Sequence, residues 1–376
     1  MPKPKIVCVV GTRPDAIKSA PVVLELQKVP DVETIVVSTG QHREMLDQVF
    51  ASFGFKADID LNLMQHGQTL ASLTARALEG LDKAFEEVRP DYVIAQGDTS
   101  TTFVASLVAF YRRTPFGHVE AGLRTESVQN PFPEEFNRRA TGLIAEHHFA
   151  PTSMAKANLL LERKEPGSIF VTGNTGIDAV LAIAERSTKT WYPDHKGRLI
   201  LLTTHRRENW GLPQEQIALA AREVLEQTPD ALLVVPMHRN PIVRETLERV
   251  LGDRDRIELI EPPEYEAFVT LMRRAALILT DSGGVQEEAP SFGVPVLVLR
   301  ENTERPEGVE AGNAKLVGTD PQRIVSESLR LLSEPEAYEV MSKTASPYGD
   351  GRAAARIRSV VCSHLGISTA EERMWN

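Results

Sequence analysis

Lys5-Ile6-Val7-Cys8-Val9-Val10-Gly11-Thr12-Arg13-Pro14 decides how the rest of the chain is read. A short apolar, largely β-branched run ends at a glycine, and Pro14 then stands where the first residue of a helix is expected. Runs of this kind, separated by helix-length segments, belong to parallel sheets with helices on both faces, because parallel neighbours require crossovers. Working outward, the pattern recurs at Thr34–Ser38, Tyr92–Ala95, Phe116–Val119, His147–Ala150 and Ile169–Thr172, with amphipathic stretches between most of them. A polar interval from Glu185 to Arg198 follows. The pattern then restarts at Leu199–Thr203 and continues through Leu232–Pro236, Ile257–Ile260, Ala276–Thr280, Pro295–Leu299 and Lys315–Val317. The expected fold is α/β: two doubly wound Rossmann-like domains, a linker near residue 175 and a cleft between the halves. In such sheets ligands bind beyond the carboxyl ends of the strands, so the residues there carry the functional argument.

Length agrees with two domains: 376 residues against about 150 per domain. With 42% hydrophobic and 25% charged residues and scattered Gly and Pro, the composition excludes disordered and collagen-like chains. A formal net charge of −10 argues against nucleic acid or an anionic membrane as partner, since either requires a basic face. Cys8 and Cys362 are the only cysteines, too few for a disulfide framework or a thiolate zinc cluster, and point to a reducing compartment. The apolar run Ile6 to Val10 is shorter than a signal-peptide core, and nothing approaches a spanning helix, so a cytoplasmic protein is expected. The spacings H-x-x-x-H, H-E-x-x-H and G-x-S-x-G are absent, and neither a metal site nor a serine hydrolase is expected.

Seven strand ends carry chemically capable residues: Gly11-Thr12-Arg13, Gly40-Gln41-His42, Gly97-Asp98-Thr99, His118-Val119-Glu120, Thr204-His205-Arg206, Met237-His238 and Thr280-Asp281-Ser282-Gly283-Gly284. Turns and helix caps explain Gly, Asp, Ser and Thr at such places, but do not require Arg13, Glu120, His205 or His238. Arg13, with Lys18 one turn later at a helix N-terminus, is placed to face an anion; surface pairing and solvation are the alternatives. Ser282, Gly283 and Gly284 let backbone N–H groups approach a diphosphate. Glu288 is placed to accept from both ribose hydroxyls or to act as a first-turn charge, and Arg305 to counter the diphosphate or pair on the surface. No G-x-G-x-x-G or P-loop motif occurs. Asp98, Glu120 and Glu134 from one half and His205 from the other are the acid and base candidates for proton transfer at carbon. Asp98 also reads as a helix cap, and Glu134 and Glu135 as first-turn charges after Pro133.

Taken together, these segments closely resemble the bacterial non-hydrolysing UDP-N-acetylglucosamine 2-epimerases. The likeness is carried in order by Gly11-Thr12-Arg13-Pro14 with Lys18, Gln41-His42-Arg43, Gly97-Asp98-Thr99, Gly117 through Arg124, Pro133-Glu134-Glu135, Thr204 through Asn209, Asp281 through Glu288, Thr303 through Glu307 and Pro347 through Gly351. The resemblance implies the GT-B fold with the active site in the cleft. It implies domains at 1–172, joined by a C-terminal helix at 353–376, and at 173–352. The implied activity is reversible epimerisation of UDP-GlcNAc to UDP-ManNAc: elimination of UDP to 2-acetamidoglucal, then re-addition, without a cofactor. Asp98, Glu120, Glu134 and His205 match the family's catalytic set. Arg13, Lys18, Phe268, Ser282, Gly283, Gly284, Glu288 and Arg305 match its UDP-binding set. Gln41, His42, Arg206 and His238 match residues used for a second, activating UDP-GlcNAc, although a contact that is often Arg aligns with Gly67. Pro263 replaces a frequent Gln before Phe268. A homodimer through the first domain is implied, as is closure carrying Arg13 and the carboxylates toward UDP. The competing readings are a GT-B glycosyltransferase using a UDP-sugar donor, a hydrolysing epimerase and a non-catalytic nucleotide-sugar sensor.

Overall fold

The opening run forms strand β1 (Lys5–Val10), and six more parallel strands join its sheet: β2 (Glu33–Ser38), β3 (Ile59–Asp60), β4 (Tyr92–Gln96), β5 (Phe116–Val119), β6 (His147–Ala150) and β7 (Ile169–Val171). Their order is β3-β2-β1-β4-β5-β6-β7, with Ile6 opposite Thr34 on one side and Tyr92 on the other. The second sheet holds β8 (Leu199–Thr203), β9 (Leu232–Pro236), β10 (Ile257–Ile260), β11 (Leu277–Thr280), β12 (Val296–Val298) and β13 (Ala314–Leu316), ordered β10-β9-β8-β11-β12-β13 and also parallel. This computed structural model describes residues 2–40, 43–63 and 67–375, the first three of the middle stretch by their backbone alone. The chain divides into two units, Met1–Ala179 with Gly349–Asn376, and Val180–Tyr348.

The central strands of both sheets are buried on their two faces, which is why they read as unbroken apolar runs. Ile6 through Val10 are at most 2% exposed; Val7 and Val9 pack with Leu81, Phe85 and Val104. In the second unit Leu202, Leu233, Leu279 and Leu297 share a core with Ile217 and Val224 of the helix Leu212–Glu226. Each such side chain contributes roughly 1.5–3 kcal/mol of burial.

Strand order reverses direction between β1 and β4 in the first unit and between β8 and β11 in the second. These switch points are where an open α/β sheet leaves a crevice beyond its strands. The loops after those four strands are Gly11-Thr12, Gly97-Asp98, Thr204-His205 and Asp281-Ser282.

Three local expectations are corrected. Strand β3 carries no sequence signal, because two residues are too few to show a period. Residue 175 lies in no linker: the helix Thr175–Arg186 carries the chain from the first unit into the second. The first helix begins at Arg13, not Pro14, capped by Thr12 in a capping box with Asp15. The returning helix Ala353–His364 belongs to the first unit and packs on the helix Arg13–Gln27, where Arg358 bonds Glu25 at 2.6 Å. Its first turn is held by the buried Asp178 carboxylate, which accepts from the peptide N–H of Ala353 (3.2 Å) and Ala354 (2.8 Å). Among the described residues no helix is long and apolar enough to cross a membrane.

Candidate active site

In the first unit, β1, β4 and β5 deliver their residues to one switch point. Gly11 is required for close approach: a Cβ there would lie 2.5 Å from Thr101 Oγ1. Glu120, directly after β5, has φ +63°, a left-handed conformation that costs a non-glycine residue roughly 1–2 kcal/mol. The conformation is held from both ends of the carboxylate, since Lys18 Nζ donates to Oε1 and Gln96 Nε2 to Oε2. Just before it, His118 Nε2 donates to the Gly97 carbonyl at 2.7 Å, tying β5 to the loop after β4. Burial pushes the His118 imidazole down to about 4, so the ring is neutral and the bond to a carbonyl fixes its proton on Nε2.

Asp98 Oδ2 receives Arg138 Nε and Nη2, each at 2.8 Å, while Asn137 Nδ2 donates to the Asp98 carbonyl at 2.8 Å. Both partners sit on the helix Glu134–Ile144, whose N-terminal pair divides its work. Glu135 is fully buried and committed to Arg138 Nη1 (2.9 Å) and Arg139 Nε (2.8 Å), a structural role. Glu134 is half-buried on the first turn. Asp15 accepts from Thr12 N (3.1 Å) and Thr99 Oγ1 (3.2 Å), and burial pushes it up to about 7. Asp15 and Glu120 converge on the Gly97 turn, each 3.7 Å from where its Cβ would lie. Lys18, expected to face an anion with Arg13, reaches Glu120; Arg13 is half-buried on the first turn of the same helix.

In the second unit, the ends of β8, β9 and β11 meet around Asp281, which is fully buried. It receives Thr204 Oγ1 (3.0 Å), the peptide N–H groups of His205 and Arg206 (3.0 Å each) and Asn209 Nδ2 (3.0 Å). His205 Nδ1 lies 3.1 Å from Asp281 Oδ1, and the His238 ring stacks on His205 at 5.6 Å and 21°. Burial by itself raises the Asp281 carboxyl, but His205 and the two peptide N–H groups outweigh it and hold Asp281 below the usual carboxylate range. Burial, then His205, lowers His238.

Gly283 opens the helix Gly283–Glu288, after Ser282 at its N-cap. A Cβ at Gly283 would stand 3.7 Å from Arg206 Nη2 and 3.9 Å from Arg305 Cζ, whereas one at Gly284 would meet nothing within 4 Å. Two guanidinium groups therefore flank a glycine turn that presents backbone N–H groups, a setting suited to phosphate oxygens. Arg305 is steadied by Glu287, and its peptide N–H donates to Thr303 Oγ1 at 3.0 Å. Glu288 closes that short helix and accepts from Tyr265 OH at 3.0 Å. Phe268, half-buried, lies on the same helix as Tyr265, which begins two residues after Pro263. Gln41 and His42 lie outside the described residues. Gly67 has φ +70°, and among the described residues no atom lies within 4 Å of where its Cβ would stand. Among the described residues no group of three or more His, Cys, Asp or Glu side chains is arranged to hold a metal ion.

Sequence reading missed the partners that fix these groups: Gln96 on Glu120, Arg138 on Asp98, and Asp281 on His205. Asp281 and Gln96 stood at strand ends, the one available signal, but an acid before Ser-Gly-Gly reads equally well as a cap.

A family model described as UDP-N-acetylglucosamine 2-epimerase matches residues 24–362. The UDP-N-acetylglucosamine 2-epimerase of Bacillus subtilis (strain 168) is 52% identical over 368 residues, 97% of each chain. A crystal structure of a UDP-N-acetylglucosamine 2-epimerase superposes with a TM-score of 0.93 at 49% identity, covering all of both chains. The UDP-GlcNAc 2-epimerase of Neisseria meningitidis, bound to UDP-GlcNAc, gives a TM-score of 0.85 at 46% identity, over 96% of this chain and all of that one.

Proposed function

The chain belongs to the UDP-N-acetylglucosamine 2-epimerase family, with its two-domain GT-B fold, and on that premise we propose how its own residues carry the reaction. The activity is an isomerisation, epimerisation of UDP-GlcNAc at C2. Inverting C2 requires removal of a weakly acidic proton. The route we assign relieves that difficulty by breaking the anomeric C–O bond as the proton leaves, so the electron pair of the C2–H bond becomes the C1–C2 double bond and UDP departs with the C1–O pair. In the return step a proton is delivered to the opposite face of C2 and a UDP oxygen bonds C1. Nothing is oxidised or reduced, and no cofactor enters.

Asp98 and Glu120 handle the sugar's protons in this scheme, and Glu134 aids the exchange. The observation that carries the assignment is the way the first two are held. Arg138 on Asp98, and Lys18 with Gln96 on Glu120, orient the carboxylates and keep acceptor oxygens in place. Positioned acid–base groups of this kind contribute about 10²–10⁴ in rate. His205 steadies diphosphate charge or relays a proton. UDP is taken by Arg13, Phe268, Ser282, Gly283, Gly284, Glu288 and Arg305, while Lys18 is given over to Glu120, and holding UDP keeps it in place for re-addition.

A second UDP-GlcNAc acts as activator through Gln41, His42, Arg206 and His238. His238 stacked on His205 and Arg206 beside Gly283 support that reading, because a ligand on either would bear directly on the proposed machinery. The chain works as a homodimer. Its free, buried thiols agree with the cytoplasm.

The deciding experiment incubates the protein with UDP-GlcNAc in D₂O, without metal or acceptor, and follows C2 by NMR. Deuterium at C2 together with UDP-ManNAc is expected. Free ManNAc would indicate a hydrolysing epimerase; no exchange with UDP retained would indicate a transferase awaiting its acceptor or a sensor.

A further inference from the structure

We infer that Asp281 is a positioning residue for the epimerisation: its buried carboxylate fixes the His205 imidazole with the proton on Nδ1, leaving Nε2 as the acceptor turned toward the reaction. The inference rests on the function proposed above for His205. Its basis is the hydrogen-bond inventory around one side chain. The hydroxyl of Thr204, two peptide N–H groups and the amide of Asn209 all donate to Asp281, each at about 3.0 Å. An acid receiving four donors from fixed groups has no reason to keep its own proton and no freedom to rotate. His205 Nδ1, 3.1 Å from Oδ1, therefore faces an acceptor and must itself carry hydrogen.

The surroundings lock the arrangement further. Asn209 is anchored a second time, to the Leu299 carbonyl at 3.1 Å, and Trp210 Nε1 donates to the His205 carbonyl at 3.2 Å. His238 covers one face of the His205 ring, while its own Nδ1 accepts from the Asn240 peptide N–H at 3.2 Å. The far nitrogen of His205 is the one left for chemistry. When Nε2 takes up a proton, the resulting imidazolium faces an ionised carboxylate, which stabilises the charge as it forms. A cap made only to tie the β8 and β11 loops together would not need the imidazole at all, since the backbone and Asn209 contacts suffice for that.

The test uses the full chain labelled with ¹⁵N-histidine. In the parent protein with UDP, the ring nitrogens of His205, assigned by comparison with H205Q, are expected to show the Nδ1–H tautomer; the Nε2–H tautomer would overturn the inference. This readout does not depend on turnover, so it stands even if the D₂O experiment fails. Asp281→Asn presents an amide whose N–H₂ can turn toward Nδ1, and is expected to reverse the tautomer. With it, kcat for UDP-GlcNAc should fall at least 10²-fold while KM changes less than threefold. In a cycle with H205Q, the double variant should lose little beyond either single one. Unchanged kcat in Asp281→Asn, or losses that multiply, would leave Asp281 as a structural cap and end the proposal. Should Asp281→Asn not fold, the tautomer in the parent decides alone.

Discussion

Lys18 and Glu120 are 102 residues apart in sequence and share an ion pair in which neither partner is more than about one-quarter exposed. That contact changes what Lys18 does. A lysine one turn into a helix reads as a phosphate ligand, yet here its ammonium stabilises a carboxylate held at φ +63°. The strained backbone of Glu120 and its two side-chain donors form one device, in which tertiary contacts overdetermine a sparsely populated conformation. If the device serves proton transfer, Lys18→Met lowers kcat by at least tenfold while the Kd for UDP, measured by calorimetry, changes less than threefold. A large loss of UDP affinity at unchanged kcat would return Lys18 to the diphosphate. Glu134 and Glu135 show the limit of residue-level reading. Adjacent acids at a helix start are indistinguishable in sequence, and only the burial of Glu135 against Arg138 and Arg139 separates the structural one.

Among the elements, the junction of β1 with the helix Arg13–Gln27 sets how closely the backbone can pass the helix that begins at Ser100. Gly11 meets Thr101, whose hydroxyl bonds Thr39 at 2.9 Å, so an added methyl has fixed atoms to displace. Gly11→Ala is expected to destabilise the fold by about 1–3 kcal/mol, read as a lower urea midpoint at unchanged slope. Wild-type stability would mean that the loop relaxes freely. Elements were the most legible level. Among the described residues, twelve of the thirteen strands announce themselves as short, largely apolar runs, and only the two-residue β3 does not. The helix Thr175–Arg186 is hidden in the sequence by the polar interval that begins at its end, which places the boundary too early.

For the whole molecule, Asp178 ties the returning helix Ala353–His364 to the helix by which the chain leaves the first unit. Burial pushes its carboxyl up to about 7, above the usual range despite the two N–H donors. A raised folded-state value means the folded protein binds more protons than the unfolded chain between about pH 4 and 7. The contribution of Asp178 to stability is thus fully present below about pH 4 and is lost as pH rises through about 7. Asp178→Asn mimics the protonated form, so its stability relative to the parent should grow from pH 4 to pH 8 in urea titrations. A difference that stays flat with pH would show that Asp178 ionises in the fold as freely as in the unfolded chain.

The strand–helix alternation, the restart that makes two sheets and the family are all legible in the residues alone, because these depend on local periodicity and on motifs read in order. The sequence also places the charged and polar candidates at strand ends, where chain direction alone sends them. Packing alone selects which partner holds each group: Lys18 on Glu120, Arg138 on Asp98, Asp281 on His205 and Asp178 on a helix 175 residues away. The reason is physical. Hydrophobic patterning acts along the chain with periods of two or 3.6 residues, whereas a hydrogen bond or a desolvated carboxylate depends on atoms that only the packed crossovers bring within about 3 Å.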